Sequence, residues 1–238
     1  TDKVITVNET ITARFAARGF ETVTVMNCQS LADFDVSSIR KKGDEKDRVF
    51  TVAYQGNIIG MRGYEQLVEA ADILVNDRKL VDLRFLIMGK GQPGDTFAES
   101  IMRSVDVKGL SAHFVFTGFL NHGEMMQRLA RSDLGLCLFQ PTPNNKLGLP
   151  NKLFENLMAG MPTVASNFTE IARVIGEQRC GLLVDPTQPR EIADAIERLY
   201  CERDLRLEMG RNALNAVRSK YSFEAQAKIL LGVYAGLK

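Results

Sequence analysis

The sequence predicts an α/β fold, a Rossmann-like doubly wound parallel sheet with helices on both faces and a helical C-terminal tail. Three observations carry this. Six short, nearly continuous apolar runs lie between Val49 and Val184, amphipathic stretches separate them, and Pro189 to Lys238 reads as helix throughout. Strands that are apolar on both faces are what a parallel sheet covered by helices requires, whereas a half-solvated sheet would alternate polar and apolar residues. With 238 residues, 45% hydrophobic and 25% charged, the chain can bury a large core without staples, and a disordered or collagen-like chain is excluded.

In chain order, Val4 to Val7 reads as a strand, Glu9 to Arg18 as a helix with Ile11 and Phe15 one turn apart, and Thr22 to Met26 as a second strand. This opening is too small to be a domain. Residues 29–48 contain Asp33-Phe34-Asp35 and a charge run from Arg40 to Arg48; they offer little to bury and read as a solvated linker. The six strand runs then follow: Val49 to Tyr54, Leu83 to Met88, His113 to Thr117, Leu134 to Phe139, Pro162 to Ala165 and Gly181 to Val184. Helical patterns occupy 64–77, 96–106, 122–131, 151–160 and 168–177. Pro189 suits a first helical position, and Ser222 an N-cap before the last helix.

Thirty Lys+Arg against 29 Asp+Glu leave a net charge of +1, so bulk charge predicts neither a nucleic-acid surface nor a polybasic membrane patch. Any anion site must be local. Four widely spaced cysteines and two histidines predict no metal cage and no disulfide framework, and fit a reducing, cytoplasmic compartment. No apolar run approaches the roughly 18 residues of a membrane span.

Ligands of open α/β sheets sit beyond the carboxyl ends of the strands, where strand order reverses. The strand-to-helix loops are therefore the places to search. The loop from Gly56-Asn57 to Arg62-Gly63 joins a strand to a helix and ends in a cation, a combination suited to a diphosphate; a glycine-shaped turn with a surface arginine is the plain alternative. Gly89-Lys90-Gly91 lacks the third glycine of a dinucleotide fingerprint and favours a tight turn. In Leu147-Gly148-Leu149-Pro150-Asn151-Lys152-Leu153-Phe154-Glu155, a glycine loop runs into a helix. Its apolar Leu153, Phe154, Leu157 and Met158 should face the sheet, with Asn151, Lys152 and Glu155 on the other side. Glu155, one turn in, could accept both vicinal hydroxyls of a ribose; a Lys152/Glu155 surface pair is the alternative.

Leu149 to Glu155, continued by Met158-Ala159-Gly160-Met161-Pro162, resembles the donor-site signature of the retaining family 4 (group 1) glycosyltransferases. Matching pieces follow in order over about residues 49–238: Gly56-Asn57 with Arg62-Gly63, Ile87 to Gly91, Phe116 to Phe119, Ser132 to Leu136, Cys180 to Pro186 and Tyr221-Ser222-Phe223. The resemblance implies one half of the two-Rossmann GT-B architecture. Residues 1–28 would be the remnant of an N-terminal acceptor domain, 29–48 a linker, and 49–238 the nucleotide-sugar donor domain. It implies donor contacts from Gly56, Asn57, Arg62, Gly89, Leu120 (backbone, toward the base), Gly148, Leu149, Asn151, Lys152 and Glu155. Arg62 and Lys152 would stabilise the leaving diphosphate, with no metal and no cofactor. The donor would be UDP- or GDP-linked, and a saccharide or lipid-linked acceptor would reach the site through the N-terminal domain. Bacterial cell-surface polysaccharide or lipopolysaccharide synthesis, in the cytoplasm or at the inner face of the membrane, is the implied setting. Two positions depart from the family: Leu147 stands where the first of a glutamate pair is expected, and Asn57 where many members carry arginine. Sugar recognition would then fall to backbone amides or to Asn144, Asn145 or Lys146. Two other readings stay open: a nucleotide-sugar epimerase of the same architecture, and a non-catalytic sugar-nucleotide-binding module.

Overall fold

The computed structural model describes residues 3–33 and 49–236. The chain opens with a parallel strand-helix-strand unit, β1 (Val4–Thr6), α1 (Glu9–Ala16) and β2 (Thr22–Thr24), with Val4 opposite Thr22 and Thr6 opposite Thr24. Asn8 caps α1, its Oδ1 accepting the Ile11 amide at 2.9 Å. The strands and helix are shorter than the sequence pattern suggested.

The rest is built on β3 (Phe50–Gln55), β4 (Leu83–Met88), β5 (Phe114–Phe116), β6 (Leu134–Cys137), β7 (Thr163–Ser166) and β8 (Gly181–Val184). These form one parallel sheet in the order β5-β4-β3-β6-β7-β8. The winding reverses between β3 and β6, so the switch point lies at their carboxyl ends. The helices are α2 (Tyr64–Asp72), which widens into a π turn over Ile73–Asp77, then α3 (Phe97–Val107), α4 (His122–Arg131), α5 (Pro143–Leu147), α6 (Asn151–Met158) and α7 (Thr169–Gln178). The tail is α8 (Pro189–Cys201), α9 (Arg203–Ser219) and α10 (Phe223–Ala235). Pro189 is the first residue of α8, and Ser222 Oγ accepts the Ala225 amide at the start of α10, as the sequence predicted.

Alternate strand residues feed two cores. Val52, Tyr54, Phe85, Ile87, Leu134 and Leu136 pack with Leu67 of α2, Ile101 of α3 and Ile196 of α8. On the other face, Ala53, Leu86, Met88, Cys137 and Ala165 pack with Met126 of α4, Leu153 and Leu157 of α6, Ile171 of α7 and Val217 of α9. Helices on both faces confirm the doubly wound reading. All six strands of this sheet lie where the apolar runs fell.

The short helix α5 was not foreseen. The beginning of the expected linker is also more ordered than a solvated segment: Leu31–Asp33 form a turn of 3-10 helix. Glu224 accepts Ser30 Oγ at 2.6 Å, and the Phe223 amide donates to the Gln29 carbonyl at 2.8 Å. The remainder of that stretch, residues 34–48, lies outside the described residues. All four cysteines are free thiols. Among the described residues, no helix is long and apolar enough to cross a membrane.

Candidate active site

β3 ends in Gln55, only 1% exposed, and the chain then turns sharply. Gly56 takes φ 109°, a left-handed conformation that strains any residue with a Cβ. A Cβ there would also lie 2.7 Å from Arg62 Nη1 and 3.4 Å from Lys152 Nζ. The bare glycine thus leaves room for two cations beside the backbone. The loop is tied down from beneath: Tyr64 Oη donates to the Gly56 carbonyl at 3.0 Å, and Tyr54 Oη donates to the Arg62 carbonyl. Burial raises the pKa of both phenols, so they remain protonated donors.

The opposite wall comes from the chain beyond β6. Phe139 follows the strand, and α5 is capped by Thr142, whose Oγ1 accepts the Asn145 amide at 3.1 Å; Pro143 fills its first turn. Asn145 Nδ2 donates back to the Gln140 carbonyl at 2.9 Å, fixing the start of this wall. Gly148-Leu149-Pro150 then leads into α6, which has no side-chain cap and so presents free amides at its start.

Glu155 stands one turn into α6, half-buried, with Oε2 accepting Gln55 Nε2 at 3.0 Å. The same Gln55 amide reaches Asn156 Oδ1 at 3.0 Å and the Lys152 carbonyl at 3.3 Å. No ion pair joins Lys152 to Glu155; the surface-pair alternative does not hold, because Lys152 is not on the surface. Its side chain is buried, and Nζ lies 4.1 Å from the centroid of the Tyr54 ring and 5.1 Å from that of Phe139. This corrects the placement expected from helical spacing. The long methylene stem lets the amine fold over the strand end into an aromatic corner, which spacing alone cannot show. Nζ has no hydrogen-bond partner. Burial lowers its pKa from 10.5 to about 7, with Arg62 adding repulsion.

These walls form a cavity of about 440 Å³ at the switch point, lined by Gln55 and Arg62 on one side, Phe139, Asn144 and Asn145 on the other, the start of α6, and Met125 from α4. Of the residues expected from the sequence, Gly56, Arg62, Gly148, Leu149, Asn151, Lys152 and Glu155 converge here. Asn57, Gly89 and Leu120 do not line it. Asn57 is exposed. Gly89 is a glycine for a different reason: a Cβ there would collide with the Gly56 carbonyl, and the Ile58 amide bonds the Lys90 carbonyl at 3.0 Å. The loop after β4 therefore buttresses the loop after β3. The Leu120 side chain packs against the core that contains Met126 and borders a separate groove with Val115 and Arg128. At Leu147 the carbonyl accepts Asn8 Nδ2 at 2.8 Å, joining the N-terminal unit to the rim of the cavity.

Gln55, Asn156, Tyr54 and Phe139 were missed by the sequence reading. Gln55 had one available signal, a polar residue directly after an apolar strand run; Asn156, in a helix that is half polar, had none. Among the described residues, no group of three or more His, Cys, Asp or Glu side chains could hold a metal ion.

A parallel sheet of this order, wound on both faces and carrying its cavity at the switch point, is the Rossmann-like half of the GT-B architecture. The chain belongs to the group 1 glycosyl transferases, whose family model matches residues 35–216. The alpha-D-kanosaminyltransferase of Streptomyces kanamyceticus is 31% identical over 183 residues, 77% of this chain and 45% of that protein. The D-inositol 3-phosphate glycosyltransferase of Paenarthrobacter aurescens is 28% identical over 185 residues, 78% of this chain and 43% of that protein. The chain thus spans less than half the length of these curated relatives. Among solved structures, Anabaena Alr3699/HepE in complex with UDP superposes with TM-score 0.81 at 16% identity, covering 100% of this chain and 64% of that one. The C-terminal domain of a group 1 glycosyl transferase (LpcC) from Francisella tularensis gives TM-score 0.67 at 20% identity, covering 80% of this chain and 99% of that domain. At these identities the structural likeness shows the fold.

Proposed function

We propose that this chain is the donor-binding half of a retaining glycosyltransferase, which holds a nucleoside-diphosphate sugar and passes the sugar to an acceptor on a second domain. The observation that carries the reading is the convergence of Arg62, Lys152 and Glu155 around the free amides of α6 at the switch point. Two cations and helix amides suit a diphosphate, and the carboxylate suits the ribose hydroxyls. As the sugar leaves, charge develops on the diphosphate, and Arg62 with Lys152 would stabilise it. Asn144, exposed at the cavity rim, is placed to meet the sugar. Residues 1–28 fit the end of an acceptor domain, tied to the donor half through Asn8 and through the Met26 amide, which donates to Gln226 Oε1 at 2.7 Å.

A UDP or GDP donor is supported by the UDP complex of the Anabaena neighbour and by a Mycobacterium tuberculosis relative named as GDP-mannose-dependent. Assembly of a bacterial surface polysaccharide or lipopolysaccharide on the cytoplasmic side of the membrane, with a saccharide or lipid-linked acceptor, is the setting we favour.

Thermal-shift and calorimetric titration with UDP-, GDP-, ADP- and CDP-glucose tests the donor site. One base should stabilise the chain clearly more than the others. Arg62→Ala should weaken the nucleotide sugar about tenfold or more while leaving the bare nucleoside unchanged; equal loss for both would reduce Arg62 to a loop-shaping residue. The non-catalytic module has one observation in its favour, the apolar Leu147 whose carbonyl is already occupied by Asn8. Acceptor-dependent sugar transfer by a chain extended at its N-terminus decides between the two.

A further inference from the structure

We propose that the site takes up a proton together with its nucleotide sugar, and that Lys152 Nζ carries it as the second phosphate cation beside Arg62. The inference rests on the donor-site reading above and adds to it a change of protonation on binding.

Lys152 is 6% exposed, lines the cavity, and its buried amine has no hydrogen-bond partner and lies close to Gly56 and Arg62. An ammonium has three N–H groups to satisfy, and two aromatic faces attract its charge without accepting those hydrogens in full. A buried, unpartnered charge is costly, and such groups discharge instead. Every packed element contributes a neighbour. Tyr54 and Gln55 come from β3, Arg62 from the following loop, Tyr64 from α2, Cys137 from β6, and Glu155 and Asn156 from α6 itself. Tyr54, Tyr64 and Cys137 are held neutral by burial, the Cys137 thiol being pushed up to about 12. Arg62 repels a second positive charge. Glu155 attracts it, but one carboxylate oxygen is already engaged by Gln55. The unliganded pocket therefore favours the neutral amine above about pH 7. A diphosphate supplies both the missing acceptors and the opposing charge, so the bound state favours the ammonium.

The linkage has a definite sign. Binding couples to proton uptake wherever the free amine is neutral and the bound one charged, so affinity falls as pH rises above about 7, approaching tenfold per pH unit. A nucleotide sugar is the right probe, because its diphosphate diester has no group titrating near neutrality. Calorimetry at pH 8 with the tightest binder of UDP-, GDP-, ADP- and CDP-glucose, in two buffers of contrasting ionisation heat, should report close to one proton taken up, and much less at pH 6. The matching nucleoside should report none. Lys152→Met should abolish the uptake and weaken binding most at low pH; Lys152→Arg, permanently charged, should bind without uptake and with a flat pH profile. Binding at pH 8 with no buffer dependence, or uptake that survives in Lys152→Met, overturns the proposal while leaving the donor site standing. Failure of all four nucleotide sugars to bind at any pH removes the donor site, and this inference with it.

Discussion

On one face of the sheet, Val52, Tyr54, Phe85, Ile87, Leu134 and Leu136 meet α2, α3 and α8 with large side chains; on the other, β4 keeps Leu86 and Met88, but β3, β6 and β7 present the small Ala53, Gly135, Cys137 and Ala165. The difference governs how near a helix can come. A Cβ at Gly135 would lie 2.5 Å from Asn156 Nδ2, so the Asn156 side chain of α6 rests directly on the backbone of β6. That approach brings Gln55, Lys152, Glu155 and Asn156 within reach of one another, at the expense of burying polar groups, of which Gln55 Oε1 and Lys152 Nζ have no partner. The bulky face holds the fold; the small-residue face gives up ideal packing to bring α6 and its charges to the strand ends.

Three substitutions test this division, and the largest effect belongs to the bulky face. Leu136→Ala should destabilise the chain by about 2–5 kcal/mol in urea unfolding, yet leave nucleotide-sugar affinity of the folded protein within about twofold. A parallel loss of affinity would mean that the faces are not independent. Gly135→Ala should cost about 1–3 kcal/mol of stability and, by pushing α6 outward, weaken binding by more than tenfold. Unchanged calorimetric affinity would break the link between close packing and the site. Lys152→Met should move stability the other way, raising that of the unliganded chain by about 1–2 kcal/mol at neutral pH, because it removes a buried amine. Its pKa falls from 10.5 to about 7 on folding, so the unfolded chain holds more protons and wild-type stability rises with pH between those values. The advantage of the Met variant should accordingly be greatest at or below pH 7 and vanish toward pH 10.5. Chemical denaturation across that range measures it.

The sheet was legible because its six runs are apolar on both faces, a pattern that helices on one side alone would not demand. α5 was not, although Thr142-Pro143 is a cap followed by a first-turn proline; a five-residue helix carries too short a period to register against the surrounding loop. That Arg62 and Glu155 lie at the cavity was readable from loop position and helical spacing. The burial of Lys152 was not, since the spacing that puts it beside Glu155 is the same for a surface residue, and only the Tyr54 and Phe139 rings make a corner for it. Gly89 shows the converse: the sequence marks a glycine loop correctly, but its reason is the neighbouring loop's backbone, which lies more than thirty positions away in sequence.

Gln55 reaches Lys152, Glu155 and Asn156 across 97, 100 and 101 positions of chain. These bonds have no local substitute, and β3 pairs in register with β6 at Val52 with Leu134 and Ala53 with Gly135. The site is therefore expected to form late in folding, once the α2-to-α4 stretch between those strands has folded back and α6 has settled on them. In the finished protein the same dependence runs in reverse. An opening that lifts α6 alone dismantles the site while the Leu136 face stays folded, and amide exchange along α6 then reports how often the protein is momentarily without it.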